Sequence, residues 1–237
     1  MKTLHLLFAL GMLSVTILFS ACTDEPSGPI IVIDIDGNVY QTVTIGTQTW
    51  MVENLKTTHY NDGTAIPLVE NNLSWSNLPT AGYCWFNNDE ATYKNTYGAL
   101  YNWYTVNSGK LAPTGWHVAT DAEWTTLVTY VSTHFGTSVS LAKGLSSTTN
   151  WSASTNVGDI GNDLSLNNSS GFSALPGGYR NGSTGTFNDI NVNGSWWSST
   201  EYDTSYAWYR LMQYYHSYVY MNNYNKRYGL SVRCVKD

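Results

Sequence analysis

The sequence predicts an α+β domain of short antiparallel strands, two main helices and long loops. Three observations predict it. Alternating apolar and polar residues recur in short runs at both ends of the chain. Helical spacing is confined to the middle, and Asn-, Gly- and Ser-rich stretches separate these segments. Strands, then helices, then strands again place the helices beside an antiparallel sheet.

The elements follow in chain order. Ile30 to Ile35 and Val39 to Val52 alternate around Asp36-Gly37-Asn38, a hairpin turn, and Gly46-Thr47 marks a second turn. Asp34, Asp36 and Asn38 lack the spacing and the closing Glu of a calcium loop. Tyr60 to Leu78 reads as loop, and Tyr83 to Phe86 as a short aromatic strand. Tyr97, Leu100, Tyr101 and Tyr104 fall at helical spacing and predict a short helix over 97–106. Trp116 to Val118 is a strand leading to Thr120-Asp121-Ala122-Glu123, a capping box that opens a second helix. That helix carries Trp124, Leu127, Val128 and Val131 on one face and is expected to end at Gly136. Beyond a loop over 151–170, strands are expected at Phe172 to Leu175, at Tyr179-Arg180 after Pro176-Gly177-Gly178, and at Phe187 to Ile190, Ser195 to Ser199, Ala207 to Leu211, Tyr214 to Met221 and Leu230 to Val235.

The first 22 residues read as a signal peptide rather than fold. Lys2 is followed by an apolar run from Leu4 to Phe19, and Ser20-Ala21 precede Cys22. A cysteine after a small pair is where bacterial lipoprotein signals are cleaved and lipidated, although Phe19 stands where Leu is usual. Plain secretion is the alternative. Residues 23–29 form a short acidic tether, and residues 30–237 a single domain. Acidic residues directly after the cysteine resemble the surface-export signal of Bacteroidetes lipoproteins. The expectation is therefore a membrane partner through a lipid on Cys22, at the outer membrane and on the cell surface.

Composition narrows the partners. A net charge of −6 with 11 Lys and Arg gives no basic footprint for nucleic acid. Once Cys22 carries lipid, Cys84 and Cys234 remain as an even pair in an oxidising compartment, which predicts a disulfide; two buried free thiols are the alternative. His59, His117, His134 and His216 are scattered, none at ligand spacing from a cysteine, so no metal site and no cofactor is expected. His117 reads as a hydrogen-bonded structural residue before the helix. Asp121 and Glu123 are accounted for by the helix start, where negative charge is favoured. Glu201 and Asp203 remain as isolated acids, and the chain shows no nucleophile elbow or paired catalytic carboxylates.

The segment from Tyr202 to Tyr228 holds half of the chain's 18 tyrosines, interleaved with Asn, Ser, Thr and His. Tyr supplies rigid contact area with a polar tip, and Asn and Ser adaptable hydrogen bonds, the composition of binding loops. Read as one strand from Tyr214, alternation places Tyr214, His216, Tyr218, Tyr220, Asn222 and Tyr224 on an outer face, with Val219 and Met221 toward the core. Such a row suits a glycan or a protein surface. A sheet surface that merely tolerates Tyr gives the same pattern.

Gly115-Trp116-His117-Val118-Ala119-Thr120-Asp121-Ala122-Glu123-Trp124 resembles the Fibrobacter succinogenes major paralogous domain of surface lipoproteins. The resemblance continues through Gly46 to Met51, Asn54-Leu55, Tyr97 to Trp103, Gly171 to Arg180, Trp197 to Glu201 and Ser231 to Cys234. It implies a C-type-lectin-like fold, similar to formylglycine-generating enzymes and to the variable proteins of diversity-generating retroelements, in which a scaffold supports one variable face. It implies no particular activity. The expectation is a non-catalytic binding lipoprotein. The alternatives are a structural envelope protein without a specific ligand and an oxidoreductase of the formylglycine-generating type, whose cysteine pair here could only be Cys84 and Cys234.

Overall fold

The computed structural model describes residues 31–135 and 140–237. The signal peptide, Cys22, the tether and the helix stop expected at Gly136 lie outside the described residues.

The chain opens with β1 (Val32–Ile33) and β2 (Val39–Tyr40), paired antiparallel with Ile33 opposite Val39. The turn works because Gly37 takes a φ of 79° that other residues resist. Asp34 organises it: its carboxylate accepts from the amides of Asp36 and Asn38, the Asn38 side chain and the Tyr40 hydroxyl. The second hairpin joins β3 (Thr42–Ile45) to β4 (Gln48–Met51). After α1 (Asn72–Ser76) comes β5 (Tyr83–Cys84), then α2 (Glu90–Tyr97), β6 (Leu100–Tyr101) and α3 (Trp103–Val106).

This middle stretch corrects the helix expected over 97–106. Gly98, at φ 73°, ends α2, and a Cβ there would lie 2.7 Å from the Leu55 carbonyl. The chain then pairs as β6 before a single turn resumes at Trp103. Tyrosine spacing alone cannot register that break.

β7 (Trp116–Val118) leads into α4 (Asp121–His134), whose capping box between Thr120 and Glu123 forms as expected and whose Trp124, Leu127 and Val131 are buried. α5 (Leu141–Leu145) follows. The remaining strands are β8 (Gly177–Arg180), β9 (Phe187–Ile190), β10 (Asn193–Glu201), β11 (Tyr206–Gln213), β12 (Tyr220–Asn225) and β13 (Cys234–Lys236). Phe172 to Leu175 is not a strand; Ala174 makes only an isolated bridge to Ser146.

Two larger sheets result, in the orders β12-β11-β10-β8-β9 and β3-β4-β13-β7. One core gathers Trp50, Trp124, Phe172 and Trp196 beneath α4 and α5, and another gathers Tyr101, Trp103, Trp197 and Tyr209 on the opposite side of β10 and β11. The alternation of Trp196 and Trp197 in β10 sends one indole into each core. The chain is therefore α+β, with β10 and β11 as its dividing layer.

The expected disulfide is absent. Cys84 and Cys234 are free, buried thiols. Cys84 lies in β5, packed with Trp75, Phe86 and Leu100, whereas Cys234 lies in β13 within the core around Trp197. Their strands belong to different sheets. Burial pushes the Cys84 thiol up to about 12 and the Cys234 thiol well above its ordinary range, so neither is a thiolate at neutral pH.

Candidate binding face

Strand register fixes which side chains share the face of the five-stranded sheet that carries Tyr220, Asn222 and Tyr224. Over β10 and β11 that face is covered, with Ser195, Trp197, Ala207 and Tyr209 buried, and it opens toward the β12 edge and the loop before it. β10 and β11 align Asn193 with Gln213, Ser195 with Leu211 and Trp197 with Tyr209. β11 and β12 align Leu211 with Tyr220, Tyr209 with Asn222 and Ala207 with Tyr224. These residues lie on one face. Trp208, Arg210 and Met221 lie on the other, where Arg210 reaches α4 through the Asp121 carboxylate (2.5 Å) and the Thr125 hydroxyl (3.1 Å).

The expected row from Tyr214 to Tyr224 is divided. Tyr214 to Val219 is a connecting loop, and only Tyr220, Asn222 and Tyr224 alternate within β12. Val219 is half-buried against the core under α4, but Met221 is 53 % exposed. The core position assigned to Met221 is thus wrong. It sits opposite Arg210 on an edge strand, and α4 covers Arg210 but not the edge.

Tyr224 belongs to a column of rings rather than an outward row. It stacks on Tyr209 at 4.2 Å with an interplanar angle of 9°, and on Tyr228 at 4.3 Å and 18°. Tyr179 from β8 continues the column, 5.9 Å from Tyr228. Burial raises the Tyr179 hydroxyl to about 12 and pushes Tyr209 and Tyr228 up as well.

The other residues of the expected row form a second cluster. His216 has Tyr215 at 4.5 Å, Tyr220 at 5.4 Å and Tyr218 at 6.0 Å, and Tyr218 is more than half exposed. Tyr214 abuts Tyr215 and also packs toward the core under α4. The loop is held from behind: the carbonyls of Tyr214, His216 and Ser217 accept from the amides of Gly161, Ile160 and Ala142. Asn222 is exposed between the cluster and the column.

A polar relay borders the cluster. Asn193 Nδ2 donates to Asp189 Oδ2 at 2.6 Å, and Gln213 Nε2 donates to both Asn193 Oδ1 (3.0 Å) and the Tyr215 hydroxyl (2.8 Å). Burial raises the Asp189 carboxyl above its ordinary value. Asp189, Asn193, Gln213, Tyr179 and Tyr228 were not singled out from the sequence. The parity of β10 and β11 was the available signal, but it needs the register between strands to place them beside β12.

His117 is structural in its bonding. Nε2 meets Glu123 Oε1 at 2.7 Å and Nδ1 meets Asp237 Oδ1 at 2.6 Å, at the wall of a cavity of about 270 Å³ that is otherwise mostly apolar. Among the described residues, no group of three or more His, Cys, Asp or Glu side chains is placed to hold a metal ion.

The model of one family, the Fibrobacter succinogenes major domain, matches residues 43–236. No curated protein and no solved structure matches the chain.

Proposed function

The chain belongs to the Fibrobacter succinogenes major domain family, and we propose that it is a surface-anchored, non-catalytic binding lipoprotein. It takes a glycan or protein ligand at the β12 edge of the five-stranded sheet and on the loop that leads into it. The observation that carries this reading is the aromatic cluster of Tyr215, His216, Tyr218 and Tyr220, partly open to solvent yet pinned from behind by three backbone hydrogen bonds. Rigid, partly exposed aromatics beside amide side chains bind at low entropic cost. The fold is read as C-type-lectin-like, with β10 and β11 as scaffold for that face. In this reading lipid on Cys22 anchors the domain, and the acidic residues that follow, Asp24 and Glu25, support an outward-facing position at the outer membrane.

The oxidoreductase alternative has little support. Its chemistry needs a reactive cysteine pair, and Cys84 and Cys234 are apart, buried and protonated.

The test is a glycan and surface-protein array probed with the whole chain and with a Tyr218→Ala/Tyr220→Ala variant. Loss of a bound feature in a variant that melts like the parent supports the face. Features bound equally by both chains would move the site elsewhere, and an array with no bound feature would leave the structural envelope protein as the better reading.

A further inference from the structure

The β1–β2 hairpin exposes four aliphatic side chains on one face. Ile31, Ile33, Ile35 and Val39 are 62, 61, 52 and 50 % exposed, and register places Ile33 directly across from Val39. The alternate residues cannot trade places with them. Val32 is buried, and Asp34 is buried with its carboxylate filled by Asn38, Tyr40 and two turn amides. At the tip, Asp36 is tied to Thr57, Thr58 and His59, which fixes the hairpin to the body. The isoleucines are therefore held outward by a rigid element. A contiguous apolar row of this kind on a monomer often marks an interaction site.

We propose that this face rests in the interfacial region of the bilayer that carries the anchor. The proposal builds on lipidation at Cys22. Residues 23–30 are all that separate that cysteine from Ile31, and eight residues reach at most roughly 30 Å. The aliphatic face thus lies at the end of the tether nearest the membrane. A second copy of the chain is a poorer occupant: a stable interface takes about 800 Å² and roughly 20–30 residues from each partner, and four side chains fall well short. A bilayer demands no shape complementarity, only apolar area. Two attachments, lipid and hairpin, orient the domain where a tether alone leaves it free to tumble.

The experiment uses the full chain in vesicles of phosphatidylethanolamine and phosphatidylglycerol. An environment-sensitive thiol dye is placed at Ile33→Cys or, as control, at Val157→Cys, a position 93 % exposed elsewhere. Cys84 and Cys234 are buried and do not compete for the dye. The expected result is a blue-shifted emission at position 33, quenched by nitroxide-labelled lipid, with the dye at position 157 remaining in water. With Cys22 acylated, water-like emission at both positions, or equal quenching at both, overturns the docking but not the anchor. Dye found on Cys22 itself shows that the cysteine carries no lipid, and both readings then fall.

Discussion

Arg233 donates from Nε to Asn54 Oδ1 at 2.8 Å, and the same oxygen takes the indole proton of Trp196, also at 2.8 Å. Arg233 is fully buried without a carboxylate partner. Nη1 donates to the carbonyls of Met51 and Phe172 and Nη2 to that of Ser173, and burial brings its pKa down to about 9. The sequence motifs that mark the family, Asn54-Leu55, Gly171-Phe172, Trp197-Ser198 and Ser231 to Cys234, converge on or beside this knot. They fasten β4, the loop before β8, β10 and β13 together.

Asn54→Ala removes the shared acceptor and leaves a buried indole N–H and part of a buried guanidinium unpaired. Each such orphan costs about 1–3 kcal/mol, so a loss of roughly 2–4 kcal/mol is expected in urea unfolding. A change below about 0.5 kcal/mol would show that water or a neighbouring carbonyl replaces the amide.

Tyr218 and Tyr224, read from the sequence as equivalent contacts, should behave differently. Tyr218→Ala removes an exposed ring and should shift stability by no more than about 0.5 kcal/mol. Tyr224→Ala breaks two stacked pairs, against Tyr209 and Tyr228. Aromatic pairs contribute about 0.5–1.5 kcal/mol each beyond burial, so it should cost roughly 2 kcal/mol or more. Thermal melting of the two variants separates the binding cluster from the column; equal effects would merge them.

The His117 cluster sets a pH dependence. Burial opposes the His117 charge, but the carboxylates of Asp237 and Glu123 outweigh it and raise the folded value above 6.5. Its contribution is therefore complete below 6.5 and is lost as pH rises through the raised value. Burial would raise Glu123, yet the Thr120 amide and hydroxyl, with His117, bring it below 4.5. That contribution is complete above 4.5 and is lost as pH falls through the lowered value. Melting temperature should peak between these ordinary values, and His117→Gln should flatten the alkaline limb. Both groups are partly exposed, so the effect is small; an unchanged alkaline limb in the variant would remove His117 as its source.

Much of this architecture was legible in the sequence where local chemistry suffices. The Asp36-Gly37-Asn38 turn and the Thr120–Glu123 capping box are specified within four residues, and both formed as read. What was not legible depends on register and distance. Period-two alternation was extended back through Tyr214 to Val219, where the backbone turns instead, because the hydrogen bonds that bend it come from Ala142, Ile160 and Gly161. The Cys84–Cys234 pairing was inferred from count and compartment, neither of which encodes that β5 and β13 lie in different sheets. The candidate face was half visible. Its aromatic members crowd one segment, while Asn193 and Gln213 join it through the pairing of β10 with β11, and Asp189 of β9 through its bond to the Asn193 side chain.

The support behind that face makes the last prediction. Lys143, buried in α5, donates its ammonium to the carbonyls of Asp159 (3.1 Å), Asp163 (3.1 Å), Ile160 (3.4 Å) and Asn162. It thus occupies a ring of main-chain oxygens much as a bound cation would. Ile160 and Gly161, in the segment so held, donate in turn to His216 and Tyr214 in the aromatic loop. Lys143→Met keeps the length and apolar stem but removes the ammonium donors. The Asp159, Ile160 and Asp163 carbonyls keep the Asn162 amide, Asn167 Nδ2 and the Leu166 amide, so the loss falls on the Asn162 carbonyl and should cost about 1–3 kcal/mol. The loss should not be confined to global stability. Amide exchange at Ile160 and Gly161 should quicken, because their acceptors sit on a loop no longer braced, whereas exchange at Trp197 in β10 should keep pace with global unfolding. Unaltered protection at Ile160 and Gly161 in the variant would show that the aromatic cluster is ordered independently of Lys143.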